Sequence, residues 1–280
     1  MRSIQNIHAI TKAMEMIAAF RFKRAENRFS KAKPYLVEME KMIGNLSTAA
    51  GEGVAHPLFE VRKTKKKALV VVTGDKGLCG AYNTNLLRAA QQWVRENPGQ
   101  DVSVIPVGKV GYEYFRRRHA AMLSSRVEKG LVDVAFSKAL TEELKQLFLS
   151  GKADEIQLLY SSYRLGTMGT PRLVPFLGLR YLLDRPADAA KKAGQGADYI
   201  YEPDFQTVFI SLLERYLEGK VYLTLLEALT SEFSARMVAM KQASDNGEDV
   251  LDQLRLLRNK TRQTTITREL SEIVAGANAI

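Results

Sequence analysis

Apolar positions follow two rhythms along this chain, helical at both ends and strand-like in between. From Ser3 to about Leu46 they recur at Ile4, Ile7, Ile10, Met14 and Ile17, the steps of three and four that predict a helix seam. Ala13, Ala18, Ala19 and Ala25 keep that helix slim and its propensity high. At ~1.5 Å per residue it is a rod of roughly 65 Å. Pro34 should bend it, because proline removes a backbone donor and crowds the preceding turn. Gly51, Gly53 and Pro57 should end it.

In the middle, the run Ala68 to Thr73 reads as a buried parallel strand. A helix follows with Leu86, Leu87, Ala90 and Val94 on one face, then a strand over Val102 to Val107 in which Pro106 is a flaw. The next helix carries Arg116, Arg117 and Arg118, and a third is outlined by Phe136, Leu140, Leu144, Leu147 and Phe148. Ile156 to Tyr160 is a strand, and Val174 to Leu183 a weaker one. This alternation predicts a small, mostly parallel sheet covered by helices, a Rossmann-like α/β domain.

Asp184 to Glu202 reads as a loop, and from Phe205 to Ile280 there is no proline. One helix over that span would be on the order of 110 Å long. Its expected seam is Leu226, Leu229, Phe233, Met240, Ala243, Val250, Leu254 and Leu257, with Arg236 and Gly247 as exceptions. Gly219 and Gly247 each weaken the helix by about 1 kcal/mol against alanine. The predicted fold is α/β plus long helices. An antiparallel coiled coil of residues 1–55 with 203–280 stands on a central domain of 66–186.

Between Arg258 and Glu272 the only apolar residues are Ile266 and Leu270. So thin a stripe cannot hold a helix against an ordinary core. Either this end frays, as chain ends do, or other chains house it.

Composition narrows the function. With 46% hydrophobic and 26% charged residues in 280, the chain is an ordinary folded protein. The best apolar stretch, Leu173 to Leu183, is broken by Pro175, Gly178 and Arg180, whereas a bilayer span needs about 20 apolar residues. The N-terminus lacks the apolar run of a secretory signal. The chain should therefore be soluble or peripheral to a membrane, without direct membrane insertion. Cys79 is the single cysteine, which excludes an intrachain disulfide. His8, His56 and His119 stand apart, so no metal site is expected. Net charge is +10, with runs at Arg62, Lys63, Lys65, Lys66, Lys67 and at Arg116, Arg117, Arg118. These are solvated faces or a match for an acidic partner.

One motif invites a chemical reading. Gly74-Asp75-Lys76-Gly77-Leu78-Cys79-Gly80 lies between a strand and a helix, where phosphate-binding loops sit. A Walker loop needs Gly-Lys-Ser/Thr entering the helix, and Ala81-Tyr82 stand there instead. A dinucleotide fold wants an acidic residue ending the second strand, where Val107-Gly108-Lys109 stand. A tight structural turn or a partner-contact loop fits better. No base lies near Cys79 in sequence to make it a nucleophile. Met14, Met16, Met237 and Met240 are packing residues, soft enough also to meet changing neighbours. No cofactor is expected.

Several segments carry a family resemblance. Ile10-Thr11-Lys12-Ala13-Met14-Glu15-Met16-Ile17-Ala18-Ala19 resembles the N-terminal helix of the F-type ATP synthase gamma subunit. Asp75 to Gly80 is similar to that family's glycine turn, Tyr199-Ile200-Tyr201-Glu202-Pro203 to its entry into the last helix, and Ala235 to Lys241 to its mid-helix motif. Ile266-Thr267-Arg268-Glu269-Leu270-Ser271-Glu272-Ile273-Val274-Ala275-Gly276-Ala277 resembles the signature nearly throughout. The likeness runs the length of the chain in order. Family members commonly begin about ten residues earlier, so the start looks misassigned or truncated. Phe20-Arg21-Phe22 is bulkier than the small residues usual there. The chloroplast cysteine pair is missing, which fits a bacterial or mitochondrial type.

The resemblance implies a non-catalytic rotor. Its coiled coil would stand inside a hexamer of alpha and beta subunits, and its base, with an epsilon-type subunit, on the membrane c-ring. It also implies that Arg262 and Gln263 meet beta-subunit loops, with Thr267 and Glu269 nearby. Met14 and Arg236 would lie near the acidic lever of beta, and Tyr199 and Glu202 would face the ring. The place would be the cytoplasmic side of the cell membrane, as a peripheral subunit. Two other readings have their own signatures: an enzyme on the α/β domain would bind nucleotide tightly. A basic nucleic-acid binder would show strongly salt-dependent DNA affinity, yet interleaved aromatics and any reading motif are missing.

Overall fold

The computed structural model describes residues 1–50, 57–59, 65–127, 132–164, 169–178 and 204–277. Helix α1 spans Arg2–Ala50 and runs unbroken through Pro34, whose ring lies on the exposed side. The expected stops at Gly51 and Gly53, and the basic positions Arg62 and Lys63, fall outside the described residues. A short turn at Pro57–Phe59 leads towards strand β1, Lys66–Val72. There follow α2 (Tyr82–Glu96), β2 (Asp101–Val107), α3 (Lys109–Arg117) and α4 (Val134–Leu149). Strands β3 (Glu155–Ser161) and β4 (Pro171–Leu177) precede the last helix, α5, Phe205–Ala277.

The sheet has the order β2-β1-β3-β4. β1 runs parallel to β2 and β3, as the alternation of elements predicts. β4 departs from expectation. It lies at Pro171–Leu177 instead of 174–183, and it runs antiparallel to β3. The link from Ser161 to Pro171 is too short for a parallel crossover, which takes about a dozen residues or more. Pro106 proves harmless. Val104, two residues earlier, turns its N–H outward to the Ala121 carbonyl, and the Pro106 carbonyl likewise accepts from Arg126 N–H at 2.9 Å. The donor that proline lacks therefore points away from β1, and the ladder loses nothing.

On α2, Trp93 is buried where Val94 was expected, and Val94 is 37% exposed. One core lies under α2, formed by Leu69, Val71, Leu86, Ala90 and Trp93. The larger core fills the other sheet face, where Leu158, Ile156, Leu144 and Phe148 meet the helix pair through Met39, Ile43, Phe209, Leu213 and Tyr216.

α1 and α5 pair in antiparallel fashion. Met1 Sδ lies 3.9 Å from the Arg258 guanidinium, Arg21 sits over the Phe233 ring, Arg28 bonds Tyr222, and Tyr216 bonds Glu40. The buried face of α1 is Ala18, Ala25, Phe29, Leu36, Met39 and Ile43, a heptad-like series. This corrects the expected seam. Ile7, Ile10 and Ile17 are 50%, 58% and 54% exposed and form a second, outward stripe. The large isoleucines draw the eye in sequence, but small Ala18 and Ala25 occupy the contact. On α5, Leu226 and Met240 are buried as expected, whereas Leu251 takes the place of Val250, and Leu257 is exposed. Gly219 marks a close approach, with Leu36 Cδ1 3.3 Å from where its Cβ would stand, whereas at Gly247 the nearest atom, His8 Cβ, lies at an ordinary contact distance of 3.5 Å.

Candidate interface surfaces on the helix pair

The glycine turn after β1 is packed against α5. Gly74 N–H donates to Asn83 Oδ1 at 2.9 Å, and a Cβ on Gly74 would meet Glu232 Oε1 at 3.0 Å. Gly80 holds φ +57°, and Leu78, at φ +61°, presents a side chain 60% exposed. Arg236 secures the turn from α5. Its Nη2 donates to Glu232 Oε1 at 2.9 Å and to the carbonyls of Lys76 and Gly77 at 3.4 and 3.3 Å. Lys109 N–H, at the start of α3, donates to Asp75 Oδ1. Asp75 thus ties the turn to the start of α3, the helix that follows β2. Cys79 is buried, and burial pushes its thiol up, with Arg236 opposing and Glu232 adding to the rise. It is not an activated nucleophile.

Met14 and Arg236, expected to share a neighbourhood, line one groove of about 400 Å³ with Ile17, Arg21, Lys76, Leu78 and Phe233. Its lining is mainly apolar and also holds Arg21 and Lys76 together with the carboxylates of Asp75 and Glu232. Arg236 itself is turned inward, only 12% exposed, and committed to Glu232 and the turn. Arg116 and Arg117 pair with Glu113, and Arg118 stacks 3.7 Å from the centre of the Tyr114 ring.

Arg262, Gln263, Thr267 and Glu269 all lie exposed on the last third of α5. By helical geometry they share one face with Ile266, Leu270 and Ile273, which are 47%, 58% and 67% exposed. From Arg255 to Val274 every position except Thr265 is exposed. Tyr199 and Glu202 lie outside the described residues. Among the described residues, no helix is long and apolar enough to cross a membrane, and no group of three His, Cys, Asp or Glu could hold a metal.

A polar cluster where the helix pair meets the sheet escaped the sequence reading. The Glu227 carboxylate of α5 accepts from Tyr160 OH at 3.1 Å and Tyr163 N–H at 3.0 Å. Tyr163 OH donates to Glu26 of α1 at 2.9 Å. Burial and the bond to Glu26 push the Tyr163 phenol up to about 12, and burial with Glu227 raises Tyr160 further. Both phenols are donors at neutral pH. Nearby, Lys220 is 8% exposed, and desolvation lowers its ammonium to about 8 despite Glu40. A lone glutamate between Phe22 and Phe29 on an otherwise apolar face was the available signal.

The family model described as ATP synthase matches residues 1–280. The ATP synthase gamma chain of Ralstonia nicotianae is 41% identical over 289 residues, covering 100% of this chain and 96% of the relative. That of Cupriavidus necator is 41% identical over 285 residues with the same coverage. This chain belongs to the ATP synthase gamma family. The fold agrees with two solved chains. One, from the OSCP/F1/c-ring of the Euglena gracilis mitochondrial ATP synthase, gives a TM-score of 0.71 at 20% identity, covering 99% of this chain and 91% of that one. The other, from the central stalk and c-ring of the Tetrahymena thermophila mitochondrial enzyme, gives 0.63 at 24%, covering 84% and 99%. As a gamma subunit the chain is a non-catalytic stalk component, and it assembles with other ATP synthase subunits in a membrane-associated complex.

Proposed function

We propose that this gamma subunit turns as a rotor inside a hexamer of alpha and beta subunits, coupling ion flow through the membrane sector to ATP synthesis on those partners. One observation carries the reading: α5 continues as a polar helix, exposed from Arg255 to Val274 apart from Thr265, and among the described residues Met1 alone is seen to touch it there, at Arg258. A helix with so thin an apolar stripe gains its stability from packing on something else. The outward stripe of Ile7, Ile10 and Ile17 on α1 supports the same reading.

In this account 1–55 and 203–280 form the shaft and 66–186 the base. Arg262, Gln263, Thr267 and Glu269 meet beta-subunit loops around the Ile266–Leu270 stripe. Met14 contributes to the groove that receives the acidic lever of beta, with Arg21 and Lys76 as the cations on its rim and Arg236 holding the turn that forms one wall. Tyr199 and Glu202 face the c-ring, beside an epsilon-type subunit. The assembly lies on the cytoplasmic side of the cell membrane, and this subunit is peripheral. An asymmetric shaft then biases each beta subunit between open and closed states in turn.

The test is reconstitution with alpha and beta subunits. One copy of this chain per hexamer, with ATP hydrolysis only in the complex, is the expected result. Failure to co-purify, or tight nucleotide binding by this chain alone, would sink the reading.

A further inference from the structure

The junction between shaft and base has a feature that general packing does not explain. Tyr163, just after β3, touches both long helices at once. Its backbone N–H donates to Glu227 on α5 at 3.0 Å, and its hydroxyl donates to Glu26 on α1 at 2.9 Å. Its ring meets Phe22 edge-on at 5.7 Å between centres and Phe29 at 6.3 Å, the residues one turn either side of Glu26. The other oxygen of Glu227 accepts from Tyr160 on β3 itself, and Ser161 Oγ lies 2.8 Å from Ser231 Oγ one turn further along α5.

We propose that Tyr163 is a positioning residue that fixes the rotational register of both shaft helices on the sheet domain, so that base and shaft turn as one body. The inference rests on the rotor reading above. Apolar contact is non-directional, so a core alone allows two smooth helices to roll or slide by small amounts against a sheet. The bonds at Tyr163 and Glu227 are directional and charge-assisted, and they bind two helices to one point of the chain. Rolling α1 would carry Glu26 off the phenol, and rolling α5 would carry Glu227 off the backbone N–H. Phe22, in a segment bulkier than the small residues usual in the family, supplies one wall of the slot that holds the ring.

The experiment uses the full complex, fixed through its hexamer, with a bead on the base and angular fluctuation read as torsional stiffness. Tyr163→Ala should lower the stiffness, because it removes the Glu26 bond and both ring contacts. ATP hydrolysis by the complex should be unchanged. Tyr163→Phe keeps the rings and loses the Glu26 bond, and should soften the rotor less. Combined with Glu26→Ala it should be no softer than either single variant, a non-additivity that mere destabilisation would not produce. Wild-type stiffness in Tyr163→Ala, or in Tyr163→Phe should the alanine variant not assemble, would overturn the proposal, as would simple addition of the Tyr163→Phe and Glu26→Ala effects. A wild-type bead that never turns would instead remove the rotor reading beneath it.

Discussion

The near and far parts of α5 are one helix under two regimes. Near the sheet, from Phe209 to about Ser244, it buries large side chains and even polar ones, including Lys220, Thr230, Ser231 and Glu232. Beyond Leu251 it buries almost nothing. The near part is specified by contacts this chain makes with itself. The far part is specified by what it withholds, since a surface that satisfied itself could not serve a neighbour. Exposure here follows from the pattern of residues and not from weak helix propensity.

That contrast can be broken by substitution. In chemical unfolding of the isolated chain, Leu213→Ala, at a fully buried site, should lose about 2–5 kcal/mol by removing packed methyl groups and leaving a cavity. A loss under ~1 kcal/mol would show the near part to be loosely packed. Arg236→Ala should cost about 3 kcal/mol, because it breaks a pair with the Glu232 carboxylate, 6% exposed, from which water is excluded. The glycine turn should then become protease-sensitive, and intact digestion patterns would contradict its role as a clamp.

Lys220→Met should act in the opposite direction. A buried ammonium lowered to about 8 is a penalty, and removing it should stabilise the chain by on the order of 2 kcal/mol at pH 7. The sign with pH follows from proton counts. Between pH 8 and about 10.5 the unfolded chain binds the proton that the folded lysine has lost, so wild-type stability gains on the variant as pH rises through that window. Below pH 8 the penalty is fully present. A difference in melting temperature that stays flat from pH 7 to 10 would show that Lys220 does not titrate there. The smallest effect belongs to the far part. Ile266→Ala and Leu270→Ala should each leave stability within ~0.5 kcal/mol while weakening co-assembly with alpha and beta subunits.

The element order and the parallel strands were legible because runs such as Leu69 to Val72 and the series Leu140, Leu144, Leu147 have periods that only one structure satisfies. The distal helix was legible through its lack of apolar residues. The register of the helix pair was not. The expected seam of Ile4, Ile7, Ile10, Met14 and Ile17 follows side-chain size, and only Ile4 and Met14 are half-buried, while the structure follows closeness of approach, which favours Ala18, Ala25 and Gly219. Val250 against Leu251 is the same error by one position. The direction of β4 depended on loop length, not on composition. The groove joining Met14 to Arg236 could be anticipated only through the family likeness, because residues so far apart share no local signal. The inward aim of Arg236 could not. Its ion pair with Glu232 follows helical spacing, yet its bonds to Lys76 and Gly77 exist only once the fold has formed.

The antiparallel pairing also dictates timing during synthesis. Arg28 and Tyr222, which bond across the pair, lie 194 positions apart. At ribosomal rates of about 5–20 residues per second, α1 waits on the order of 10–40 s for its partner to be made. Throughout that interval the part of its buried face that packs on α5 has no covering, in addition to the outward isoleucines. The nascent N-terminal helix therefore offers apolar surface to a chaperone until α5 has been made.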